Sequence, residues 1–214
     1  MRRIRAVFFD LDGTLVRYRG VDFESSWGAI GEAAGLAAEW KRVQERYLPH
    51  PELYDRWLQA NAELLAGRAV EPILRKLLPP PYPQGVREVI ERLRARGMVL
   101  GIVSSGLSLV ADYVRKDLGF DFAVANALEV RDGRFTGRAY LRVPLWKKEE
   151  VVRLMAAEHG LSPEEIAFVG DNFNDIAVFR TVGLGIAYAP KDPRVAEAAH
   201  VVAHEFREIP SLIP

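Results

Sequence analysis

Phe9-Asp10-Leu11-Asp12-Gly13-Thr14-Leu15 is the stretch on which the reading of the whole chain turns. It closes an apolar run, Ile4 to Phe9, that is rich in β-forming residues and reads as a buried parallel strand. Two carboxylates two residues apart share one face if the backbone stays extended. At the carboxyl end of a parallel strand they enter the crevice where open α/β sheets bind ligands. There they can act as nucleophile and acid/base, or as ligands of a hard cation. The plain alternative is a strand end with an Asp-Gly turn.

Working outward, Val99 to Val103, Ile166 to Val169, Leu184 to Tyr188 and Val201 to Ala203 read as further strands. Helical spacing lies between them, at Val86, Val89, Ile90 and Leu93 (stopped by Gly97), at Val110, Val114 and Leu118, and at Val151, Val152 and Met155. Alternating strands and helices predict an α/β fold with a doubly wound parallel sheet. Asp132-Gly133 marks a hairpin turn between Leu128–Val130 and Phe135–Gly137.

From Val21 to Leu78 the alternation breaks. Phe23, Trp27, Ile30 and Ala34 fall on one helical face, and Leu53, Trp57, Leu58, Ala62 and Leu65 on another. The expectation is a small helical cap inserted after the first strand, returned by the stiff linker Leu78-Pro-Pro-Pro-Tyr-Pro83. Core residues are then 1–16 and 80–214, and cap residues 17–79.

Bulk composition excludes several classes. Lys+Arg and Asp+Glu are both 29 among 214 residues, so the basic excess of a general nucleic-acid binder is missing. There is no cysteine, which rules out disulfides, thiolate zinc sites and a cysteine nucleophile. The basic start at Met1 is followed by an apolar stretch too short for a signal peptide or a membrane span. The expectation is a cytoplasmic protein without nucleic-acid or membrane partners; a homo-oligomer stays open.

Three more clusters could carry chemistry. Ser104-Ser105-Gly106 ends the second strand, where small residues let backbone N–H groups approach an anion, or simply cap a helix. Gly170-Asp171-Asn172-Phe173-Asn174-Asp175 gathers acids and amides at another strand end, suited to a hard cation or to an Asx-rich turn. Lys147-Lys148 precedes an amphipathic helix, and a lysine there could neutralise a phosphate and the acids.

Taken together, these motifs resemble those of the haloacid dehalogenase-like (HAD) phosphatases. Phe9 to Leu15 is similar to the first motif of that superfamily, Val103 to Gly106 to the second, Lys148 to the third and Gly170 to Asp175 to the fourth. Ala125-Asn126 and the following Val130 to Gly137 resemble a hairpin of its phosphoserine-phosphatase-like branch. The resemblance implies a Mg²⁺-dependent hydrolase of a small-molecule phosphate ester. Asp10 is the implied nucleophile, forming an aspartyl phosphate, and Asp12 the acid/base. Ser104 and Lys148 hold phosphate oxygens beside Ser105 and Gly106. Mg²⁺ is held by Asp10, the Asp12 carbonyl and Asp171, with Asp175 orienting the metal shell and Asn174 reaching the phosphate or Lys148. Lys148 is preferred to Lys147 because Lys148-Glu-Glu-Val-Val aligns better with the branch's helix start.

Two positions depart from the branch. Arg19 occupies the place of an acid that holds a substrate amine, and Asn61 that of a cap arginine. Arg19 facing the substrate would disfavour phosphoserine and favour a more anionic ester. The rival readings are a phosphotransferase or phosphomutase with the same acids, and a non-catalytic phospho-aspartate signalling or binding module. The second acid at Asp12 argues against the latter, and equally against a dehalogenase.

Overall fold

The computed structural model describes residues 3–214; the basic start at Met1 and Arg2 lies outside the described residues. Seven strands form one sheet in the order β4-β3-β2-β1-β5-β6-β7. They are β1 (Ala6–Phe9), β2 (Val99–Leu107), β3 (Phe122–Arg131), β4 (Arg134–Tyr140), β5 (Ile166–Gly170), β6 (Leu184–Tyr188) and β7 (Val201–Ala203). All neighbours are parallel except the β3–β4 hairpin. The chain winds from β1 to β2 on one side and later returns to β5 on the other. β1 therefore sits at a topological switch point, where the connections diverge and open a crevice at the strand tips.

Helices cover both faces because β1 is apolar on both. Val7 and Phe9 pack into one buried cluster, Ala6 and Phe8 into the other. The connecting helices are α1 (Ser26–Ala33), α2 (Ala37–Tyr47), α3 (Tyr54–Leu65), α4 (Val70–Leu77), α5 (Val86–Ala95), α6 (Ser108–Leu118), α7 (Lys148–Glu158), α8 (Ile176–Phe179), α9 (Pro193–Ala198) and α10 (Ile209–Leu212). Among the described residues no helix is long and apolar enough to cross a membrane.

Helices α1 to α4 occupy the inserted stretch. Its outgoing and returning connections lie side by side, with Arg17 N–H donating to Pro81 O at 3.0 Å and Tyr18 Oη to Leu77 O at 3.1 Å. The hairpin is tied to this insertion as well as to the sheet. Val70 N–H bonds Gly133 O, Phe135 N–H bonds Arg68 O, and Gln59 holds Gly137 O and Ala139 N–H. Asp132 and Gly133 both have positive φ, +50° and +70°, as a type I′ turn requires.

Two sequence expectations change. Phe23 is not on the α1 face with Trp27 and Ile30: it lies in a short 3₁₀ turn with φ +57° and is 58% exposed. β3 begins at Phe122, ahead of the expected hairpin strand at Leu128, and its first part is a parallel strand beside β2.

Candidate active site

The site is assembled from the tips of β1, β2 and β5, which are adjacent in the sheet. Asp10 follows β1 and is 3% exposed; its N–H is fixed by Val169 O on β5 at 2.9 Å. Asp171 follows β5 at the same level. Side-chain oxygens of Asp10, Asp171 and Asp175 all lie within 4.8 Å of one another. Gly13 makes this approach possible. Its φ is +86°, and a Cβ there would run into the Asp171 carboxylate. Thr14 Oγ1 then donates to Asp171 Oδ1 at 2.8 Å.

Lys148 opens α7 and is completely buried. Its Nζ lies 3.0 Å from Asp10 Oδ1 and 2.5 Å from Asp175 Oδ1. Burial alone would lower its pKa, but Asp10 and Asp175 outweigh that and hold it firmly protonated. Lys147 instead faces solvent and pairs with Glu150 at 3.4 Å. Asp175 also accepts the N–H groups of Asp171 and Asn172 on its second oxygen, at 3.0 and 3.2 Å. The Asx-turn reading of this segment is thus part of its geometry, and both Asp175 oxygens are already engaged.

The donor set fits a hard divalent cation. Three carboxylates, those of Asp10 and Asp175 buried and that of Asp171 half-buried, face a single ammonium, an excess of negative charge that oxygen ligation of such a cation would offset. Burial, with Asp10 and Asp175 adding, pushes the Asp171 carboxyl well above its ordinary range in the metal-free cluster. Asp10 Oδ1 is buried, and the Lys148 ammonium at 3.0 Å is the cation beside it. Asp10 and Asp171 are the side chains that would hold the cation. Asp175 is engaged by Lys148 and two backbone N–H groups.

Asp12 is held away from this cluster, toward α1. Ser26 donates to it twice, from N–H at 2.8 Å and from Oγ at 2.7 Å. Burial is the main cause of an Asp12 pKa raised to about 7; the Ser26 hydroxyl pulls it down and Asp10 adds to the rise. The pairing of β2 with β3 shifts register between Ser104 and Leu107, so Ser105 and Gly106 bulge toward Asp12. A Cβ on Gly106 would sit 2.5 Å from Asp12 Oδ2. Ser104 is buried, and its Oγ accepts Gly106 N–H at 3.1 Å. Ser105 Oγ accepts from Asn174 Nδ2 at 3.4 Å.

Some members of the site carried no motif. Ser26 is one, legible only as a small hydroxyl at a helix start. Asn126 belongs to the stretch that resembles the branch's hairpin but had no site role there; buried and bonded on both ends, it ties Ser105 O to Val143 and Arg142. Trp27 Nε1 and Tyr54 Oη also donate to Ser105 O, each at 3.1 Å. Inserted helices are thereby bonded to the irregular end of β2.

Arg19 requires a correction. It is exposed and lines a separate groove with Arg17, Tyr82 and Tyr188, while the cavity over Asp10 and Asp12 is lined by Asn61, Trp27 and Trp57 among others. An elongated turn before α1 carries Arg19 outward and brings Ser25 to the cavity instead. The argument for a more anionic ester loses its basis.

The haloacid dehalogenase-like hydrolase family model matches residues 7–180. A phosphoserine phosphatase of Archaeoglobus fulgidus is 32% identical over 192 residues, 89% of this chain and 54% of that protein. One of Methanocaldococcus jannaschii is 29% identical over 211 residues and covers 97% of each chain. This chain thus spans about half of the first relative and nearly all of the second. A solved phosphoserine phosphatase with a phospho-aspartyl intermediate analogue superposes with a TM-score of 0.81 at 29% identity, covering 100% of both chains.

Proposed function

The chain belongs to the haloacid dehalogenase-like hydrolase family, in its phosphoserine-phosphatase-like branch, and we propose that it hydrolyses small phosphate monoesters through Asp10. The observation that carries this is the division of the acids. Asp10 and Asp171 converge beside Lys148, whereas Asp12 is turned toward the insertion and held by Ser26.

In the first step an Asp10 carboxylate oxygen attacks phosphorus and the ester P–O bond breaks. The departing alkoxide takes a proton from Asp12, whose raised pKa leaves that proton available near neutrality. In the second step Asp12 removes a proton from water, which attacks the aspartyl phosphate. Inorganic phosphate leaves and the Asp10 carboxylate is restored. Lys148 offsets the repulsion between Asp10 and the phosphate, and Ser104 to Gly106 with Asn174 border the phosphate position. A bound Mg²⁺ would supply further charge neutralisation at the transferring phosphoryl group. Residues 17–79 act as the cap over this chemistry. The cytoplasm is the compartment in which we place it.

The test is phosphate release from p-nitrophenyl phosphate with and without Mg²⁺. Asp10→Asn, isosteric and uncharged, is expected to reduce release to background with its Tm retained. Turnover close to the parent rate in that variant would sink the assignment of Asp10. Phosphate delivered to an alcohol in place of water would favour the phosphotransferase reading.

A further inference from the structure

The cavity above Asp10 and Asp12 has a volume of about 270 Å³, suited to a compact ligand. Its upper wall is aromatic, built from Trp27, Trp40, Tyr54, Trp57 and Trp146. Among the described residues its only charged lining groups are Asp10 and Asp12 themselves. Within the wall two polar atoms are buried and unpartnered, the Trp57 Nε1 donor and the Asn61 Oδ1 acceptor. Asn61 is 5% exposed. Buried polar atoms without partners are costly unless a ligand completes them.

These features select against charge in the alcohol half of the ester. An amino-acid alcohol brings an ammonium and a carboxylate: the carboxylate would enter a largely apolar space without a counter-charge, and the ammonium would find acids only at the reacting floor, Asp10 and Asp12. A bare quaternary ammonium, the ordinary guest of an aromatic cage, would leave Trp57 Nε1 and Asn61 Oδ1 unbonded. The rings also pack on one another: Trp27 and Trp40 are stacked with centroids 6.5 Å apart, and Tyr54 meets Trp57 edge-on at 6.3 Å. An uncharged group that both accepts and donates a hydrogen bond, such as a hydroxyl or an amide, would complete both orphan atoms.

Resting on the phosphatase reading above, we propose that this site takes monophosphate esters of uncharged alcohols with an apolar, ring-sized body, oriented by Trp57 Nε1 and Asn61 Oδ1. Selection arises mainly in KM, because these contacts lie away from the reacting phosphoryl group.

The test compares kcat/KM, with Mg²⁺ present, for 4-(hydroxymethyl)benzyl phosphate, benzyl phosphate, O-phospho-L-serine, 3-phosphoglycerate and phosphocholine, all esters of alkyl alcohols. Both benzyl esters are expected to exceed the three charged esters by about tenfold or more, the hydroxylated one leading. Trp57→Phe keeps a ring and removes the donor, and should erase the lead of the hydroxylated ester. Asn61→Arg should raise KM for the benzyl esters and lower it for 3-phosphoglycerate, with Tm confirming folding. A charged ester equal to or better than the benzyl esters overturns this specificity while leaving p-nitrophenyl phosphate hydrolysis, and so the phosphatase reading, intact. Loss of release from every ester, p-nitrophenyl phosphate included, overturns both.

Discussion

The floor and the roof of the cavity are built on opposite principles. The floor is charge held by rigid backbone: Asp10, Asp12 and Asp171 leave strand tips or the turns directly after them, and Lys148 opens a helix. Most of its polar groups have named partners at 2.5 to 3.2 Å. The roof is apolar surface on inserted helices, and Trp57 and Asn61 keep polar atoms without partners there. A preorganised floor suits charge development in a transition state, whereas a roof of aromatic surface suits recognition of what is attached to the phosphate. Changes in the floor should therefore appear in kcat, and changes in the roof in KM or in folding stability.

The largest expected effect is in the floor. Asp12→Asn removes the proposed acid/base and should lower kcat by roughly 10² to 10⁴-fold with an alkyl ester. The loss should shrink with p-nitrophenyl phosphate, whose leaving group needs little protonation; steady-state kinetics on both esters check this. If Asp12→Asn altered KM alone, the contrast between floor and roof would break. Next is Leu65→Ala, fully buried at the end of α3. It should cost about 2–5 kcal/mol of stability through the cavity it leaves, while kcat measured well below the lowered Tm stays near the parent value. Chemical denaturation beside kinetics separates the two quantities.

Smaller effects sharpen the comparison. Ser26→Ala removes one of two hydrogen bonds to Asp12 and leaves the backbone one. A typical hydrogen bond to a charged group is worth about 1.5–3 kcal/mol, so kcat should fall by roughly 10- to 10²-fold. The Ser26 hydroxyl lowers the Asp12 pKa in the parent, so its loss should also move the basic limb of the pH–rate profile upward.

The smallest effect concerns metal and pH. Burial raises the Asp171 carboxyl well above its ordinary value and Asp175 to about 6 in the metal-free protein. Folded pKa values above the unfolded ones mean that the native state binds more protons between about pH 4 and those raised values. The contribution of these acids to metal-free stability is therefore greatest at low pH and is lost as pH rises through that window. Mg²⁺ should raise Tm by several degrees at pH 7.5 and by less at pH 5.5, where protons compete for the same oxygens. Thermal melts at both pH values, with EDTA or Mg²⁺, give the comparison.

How much of this could be read in advance follows the same division. The floor was legible because Asp10, Asp12 and Asp171 belong to short motifs whose backbone context is local: an apolar strand, then a turn. The choice of Lys148 over Lys147 also agrees with the geometry, since one is buried at the cluster and the other is solvated. The roof was legible as amphipathic helices and, through the resemblance, at Asn61. Which aromatics turn toward the cavity depends on how α1, α2 and α3 dock, and that is tertiary information. Arg19 shows the limit of carrying a position over from a resemblance, because the turn from Arg17 to Glu24 takes it to another surface. The parallel part of β3 was hidden for a different reason. Phe122 to Ala125 is too short and too close to the hairpin pattern to declare itself, and only its pairing with β2 makes it a strand. Ser26 acts through contacts made across the fold, which no local pattern announces; Asn126 stands in a stretch that resembles the branch, but its bonds to Ser105, Arg142 and Val143 are made only by the fold.

The central claim is that Asp10 carries the phosphoryl group during turnover. It is tested most directly by acid-quenching the enzyme in steady-state turnover of a radiolabelled phosphate ester with Mg²⁺ and mapping the labelled peptide, beside Asp10→Asn. The expected result is a hydroxylamine-labile label on Asp10 in the parent and neither label nor phosphate release in the variant. Label on another residue, or an Asp10→Asn enzyme that still releases phosphate near the parent rate, would contradict it.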